Sequence, residues 1–171
     1  MRGEPAKADY YFVDFRARMG GVFGHTYVVY GKIGGRGRIL SAHAAGFYPR
    51  GQISQTVLSV VLPMPSYVGL EPSDRGRPPS AIYRRYLHAD TYARLATTVE
   101  STARTHPPWH LLFYNCNAFT AKIARSIGLR TPPTLELPND FVHGLYAMNG
   151  AVEAPPARRP AASARRWKRT R

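Results

Sequence analysis

The chain predicts an α+β fold, an antiparallel β-sheet packed against helices, with the sheet early in the sequence and the helices late. Three observations point there. The first half holds several short runs of alternating or β-branched residues separated by glycines. The second half holds segments whose apolar residues recur every three or four positions. At 171 residues and 44% hydrophobic, the chain has the size and composition of one globular domain with one core.

Tyr10–Arg18 alternates, with Tyr11, Val13, Phe15 and Ala17 on one side and Phe12, Asp14, Arg16 and Arg18 on the other, and reads as a strand. A glycine-rich connection, residues 19–24, leads to a second strand over His25–Ile33. Gly34-Gly35-Arg36-Gly37 is a hairpin turn, and Arg38–Ala45 returns as a third strand that ends in Gly46–Gly51. Thr56–Leu62 is a further apolar strand, closed by Pro63 and Pro65. Ser66–Ser80, with its prolines and scattered charges, is loop-like. Ile82–Leu87 is a short strand. A helix follows over about Asp90–Thr105, with Asp90 as N-cap and Tyr92, Leu95, Ala96 and Val99 as its apolar face. After Pro107-Pro108, a helix over about Cys116–Ile127 buries Phe119, Ile123 and Ile127 and ends at Gly128. The last helix, about Asn139–Met148, presents Phe141, Val142 and Leu145.

Charge divides the chain. Its net charge is +14, and from Ala151 onward seven basic residues face one acid, Glu153, which leaves +6 on a Pro/Ala/Arg-rich tail. That composition cannot bury a core, so the tail is expected to be disordered. The expected organisation is a flexible N-terminus over residues 1–9, a domain over 10–150 and a basic tail over 151–171. Residues 158–171 could contact an anionic membrane or polyanion by charge, or serve only as a solubilising segment. No apolar run is long enough to cross a bilayer, and the N-terminus lacks an apolar signal region, so the sequence as it stands predicts a soluble, cytoplasmic protein. A periplasmic or membrane-associated protein would need a further signal segment.

Cys116 is the only cysteine, which excludes an intramolecular disulfide and a multi-cysteine metal site. With no HExxH and no tight carboxylate cluster, no metal and no cofactor are expected. Cys116 sits where the apolar run His110–Tyr114 stops and a helix starts, in Asn115-Cys116-Asn117. Backbone N–H groups and the dipole at a helix start favour thiolate, so this position suits a nucleophile; the plain alternative is a small apolar core residue. A cysteine nucleophile needs a base. His25, which follows Gly24 and opens the second strand, is the first candidate, and His43 on the neighbouring strand could orient it, unless it only faces solvent. The Cys116 N–H would give the first oxyanion donor, with Tyr114, Asn115 and Asn117 as candidates for the second, although Asn115 better fits an N-cap. Nucleic-acid binding has charge in its favour and no specific motif.

A Gly-His opening a strand (Gly24-His25-Thr26-Tyr27-Val28-Val29-Tyr30), followed more than eighty residues later by an Asn-Cys opening a helix (Asn115-Cys116-Asn117-Ala118-Phe119), resembles the circularly permuted branch of the papain-like superfamily. That branch includes permuted NlpC-type hydrolases, lecithin:retinol acyltransferase-like proteins and PPPDE peptidases. The stretch from Tyr114 to Gly150 also resembles uncharacterised bacterial proteins related to the DUF4105 group. The resemblance implies Cys116 as nucleophile and His25 as base, acting on an amide- or ester-containing substrate, with His43 available as the orienting residue. Where the PPPDE pattern has a histidine after Asn-Cys-Asn, this chain has Ala118. The expected function is a cysteine hydrolase or acyltransferase; the alternative is a catalytically silent binding or envelope-associated module of the same fold.

Overall fold

The computed structural model describes residues 10–20, 23–34, 37–51, 60 and 62–151. Five antiparallel strands form one sheet in the order β4-β3-β2-β1-β5: β1 (Tyr10–Arg18), β2 (His25–Ile33), β3 (Ile39–Pro49), β4 (Ser66–Gly69) and β5 (Ala81–Leu87). A single-turn helix α1 (Pro72–Arg75) links β4 to β5, and three longer helices follow: α2 (Ala89–Thr105), α3 (Cys116–Ser126) and α4 (Pro138–Asn149). The fold class is the α+β arrangement expected from the sequence.

Strand alternation decides what each face of the sheet meets. Val13, Phe15 and Ala17 of β1, Val28 of β2, Ala45 and Phe47 of β3, and Tyr83 of β5 join Leu95 and Val99 of α2, Phe119 and Ile123 of α3, and Phe141 and Leu145 of α4 in one core. All three long helices therefore pack on this face. The opposite face carries Phe12, Asp14, Arg16, Arg18, His25, Tyr27, Gly46 and Tyr48, the residues that alternate with the core set.

The structure departs from the sequence reading at several ends. β3 runs through Gly46 to Pro49 instead of stopping at Ala45, because Phe47 drops into the core while β4 pairs with Gly46–Pro49. Residues 66–80 are not all loop: Ser66–Gly69 forms an edge strand and Pro72–Arg75 a helical turn. The α2 helix starts at Ala89 with His88 at the N-cap position. Asp90 lies within the first turn, where its carboxylate pairs with Arg94 at 3.2 Å. Gly128 does follow α3 with φ +84, after Ile127 at the cap. The expected strand at Thr56–Leu62 falls largely outside the described residues, as do the N-terminal segment 1–9 and the basic tail from residue 152. No helix among the described residues is long and apolar enough to cross a membrane.

Candidate functional site

Asn115 stands at the N-cap of α3, and its side-chain oxygen accepts the Ala118 N–H at 2.9 Å. This fixes Cys116 as the first helical residue. The Asn115 amide nitrogen donates to Leu111 O (2.7 Å) and Thr134 O (3.1 Å). Asn117 donates to Thr134 O (3.3 Å) and Glu136 O (2.7 Å), and its side-chain oxygen accepts the Thr26 hydroxyl at 2.9 Å. Thr120 adds a 3.2 Å hydrogen bond to the same hydroxyl. Two asparagines thus tie the helix start to the loop before it, the loop after it and the beginning of β2.

Cys116 is partly exposed at this junction. Burial of its sulfur pushes the thiol up, against hydrogen bonds from Thr26 and from the helix-start N–H groups of Cys116 and Asn117. The Thr26 hydroxyl has one proton, already given to Asn117. The Thr26 amide is therefore the donor of that residue that can hold a thiolate. That amide belongs to the peptide bond that follows His25, so the sulfur and His25 sit at the same end of β2.

Their side chains leave the strand on different sides. Thr26 points at α3, and His25, one residue earlier, points to the other face. There its ring stacks on Tyr48 (centroids 4.3 Å) and lies parallel to Tyr27 (6.3 Å). His25 is only 8% exposed, and its Nε2 has no hydrogen-bond partner. Burial drives its pKa down to about 4, with the Asp74 carboxylate pulling up and the Arg18 guanidinium pulling down. Beneath the ring, Tyr48 donates its hydroxyl proton to Asp74, and Asp74 is ion-paired with Arg18. The pair expected from the sequence is thus at rest a neutral thiol and a neutral imidazole, with no hydrogen bond between them.

Gly46 makes this placement sterically possible. A Cβ there would lie 2.6 Å from both His25 Nε2 and Tyr48 Oη. Gly46→Ala is expected to displace the His25 ring and to cost about 1–3 kcal/mol, read as a lower denaturant midpoint. An unchanged midpoint would mean that the ring moves aside freely.

His43 does not meet His25. It pairs with Tyr30, five residues along β2 and about 16 Å away at the usual strand rise. It lies exposed on the other face with its ring against that tyrosine (5.7 Å). An odd register offset accounts for the difference: neighbouring strands do not make neighbouring side chains. The oxyanion candidates are also committed elsewhere. Both N–H bonds of each asparagine are used in the loop ties described above. The Tyr114 ring packs edge-on against Phe47 (5.1 Å), and its hydroxyl is buried toward Thr102 without a completed hydrogen bond. The remaining donors at this site are backbone ones, the N–H groups of Thr26, Cys116 and Asn117.

Sequence reasoning missed Thr26, Gly46, Tyr48, Asp74 and Arg18. Only Gly46 left a signal, as a glycine inside what proved to be a continuous strand. Among the described residues, no group of three or more His, Cys, Asp or Glu side chains is placed to hold a metal ion. A shallow cleft of about 640 Å³, lined by Arg50, Tyr67, Glu71 and His106 among others, opens beside β4, and neither Cys116 nor His25 lines it. No protein-family model, curated protein or solved structure matches this chain.

Proposed function

We propose that the protein is a thiol hydrolase or acyltransferase in which Cys116 attacks an amide or ester carbonyl. The observation that carries this reading is the position of Cys116: the first residue of α3, its sulfur beside the helix-start N–H groups and the amide that follows His25. In the reaction the sulfur bonds to the carbonyl carbon while its proton passes to His25. The tetrahedral intermediate collapses by expelling the alcohol or amine, which takes that proton back, and leaves a thioester on Cys116. Water or a second nucleophile then releases the acyl group. Backbone N–H groups at the helix start are the donors for the oxyanion. The step requires the His25 ring to turn from its seat over Gly46 toward the sulfur.

The second reading, a binding module of the same architecture, is favoured by the neutral, unlinked resting pair. One experiment separates them. Incubation with p-nitrophenyl butyrate is expected to release p-nitrophenolate and to leave one butyryl group on Cys116, read by mass. In His25→Ala the acylation rate should fall roughly 10²- to 10⁴-fold. Acylation that is absent, or equally fast in His25→Ala, moves the reading to the binding module.

A further inference from the structure

The end of the fold that holds Cys116 is ringed by exposed apolar side chains. Residues 111–113 form a tight turn closed by His110 and Tyr114, which exchange backbone hydrogen bonds of 3.0 and 2.9 Å. At its tip Phe113 is 78% exposed, Leu112 is also exposed, and the His110 ring lies against Phe113 at 4.5 Å. The asparagine ties bring the loop after α3 alongside, where Leu135 is 63% exposed and Leu137 is exposed too. Pro138 in turn approaches Gly24, and next to Gly24 stands the exposed Phe23.

Hydrogen bonds hold the loops that carry these side chains. The charge pattern is as uneven as the apolar one. Residues 19–24, 111–121 and 131–138 contain one charged residue, Glu136, in a chain that is 20% charged and carries a net +14. An apolar collar that carries a single charge, Glu136, on a strongly basic protein is complementary to one kind of surface: apolar just beneath a negatively charged layer.

We propose that this collar docks the protein on an anionic phospholipid bilayer, with Phe113, Leu112, Leu135, Leu137 and Phe23 entering the interface. Lipid headgroups supply the negative charge; the apolar tips supply an attraction that salt does not screen. This inference does not depend on the thiol's chemistry.

The test is co-sedimentation of the full-length protein with vesicles of phosphatidylcholine, with and without phosphatidylglycerol. Wild-type protein is expected to bind the mixed vesicles and to retain part of that binding in high salt. Phe113→Ser combined with Leu135→Ser removes only exposed side chains and is expected to weaken binding at least about tenfold. Cys116→Ser should bind as wild type whether or not the acylation experiment succeeds, so the two proposals fail separately. The docking proposal is overturned if the wild type does not bind. It is equally overturned if the double variant binds unchanged and all binding vanishes in salt, which assigns the attraction to charge alone. A wild-type dimer that the double variant converts to monomer would assign the collar to a second copy of the chain and overturn it as well.

Discussion

Acidification from pH 6.5 to pH 4 is expected to cost this protein about 3 kcal/mol of stability through His25 alone. In the unfolded chain the imidazole takes up its proton near 6.5; in the folded protein it does so only at about 4. Between those values the unfolded state binds more protons, so the loss grows as the pH falls. It is absent well above pH 6.5 and complete below about pH 4. The cause is burial on the Tyr48–Gly46 side of β2, where Nε2 finds no acceptor and Arg18 opposes a second positive charge. Guanidinium unfolding at pH 7, 5 and 4 measures the effect, with His25→Phe as the control. Phenylalanine keeps a ring on Tyr48 and cannot titrate. Carboxylates also titrate in this range, but they do so in both proteins. The difference between the two slopes belongs to His25, and equal slopes would refute the assignment.

The same burial limits the chemistry. An imidazole with so low a proton affinity is a weak base for a thiol that burial has pushed up. The acylation step proposed above therefore needs the ring to leave its seat and meet water or substrate, where its affinity returns toward 6.5. A preformed ion pair would show as rapid alkylation of Cys116 at pH 6. The neutral pair predicts slow alkylation there, rising only at alkaline pH.

How much of this was legible in the sequence differs between fold and site. β1 and β2 were readable to the residue, because an alternating strand between glycines has few other solutions. β3 was cut short at Gly46, since glycine reads as an ending unless one knows that a histidine ring lies over it. β4 was hidden because an edge strand of four residues among prolines has almost no pattern of its own. At the site, Asn115-Cys116-Asn117 marked the helix start correctly because a capping asparagine is a local signal. What the asparagines hold is not local: their partners at residues 134 and 136 become neighbours only after the chain has packed. His43 shows the same limit from the other side. Strand adjacency follows from sequence, but register decides which residues face each other, and here it places His43 opposite Tyr30.

Replacing both Arg16 and Arg84 by methionine is expected to destabilise the protein by about 3–5 kcal/mol, more than removing the carboxylate that they share. Asp14 lies in the middle of β1 with no exposed surface. Arg84 holds it through two hydrogen bonds, 2.5 and 2.9 Å, and Arg16 through a 2.7 Å ion pair. Arg84 also lies over the Phe12 ring at 4.9 Å. The asymmetry comes from exposure. Both arginines are partly exposed, with side chains 23% and 30% accessible, so either can turn into water once the carboxylate is gone. Asp14 cannot turn anywhere: without the arginines it stays as a buried, unpaired charge. Asp14→Asn should accordingly cost less than the double arginine variant. Denaturant midpoints for the three proteins at pH 7 read the difference. A double variant as stable as wild type at pH 7 would mean that water already reaches Asp14 through the sheet face.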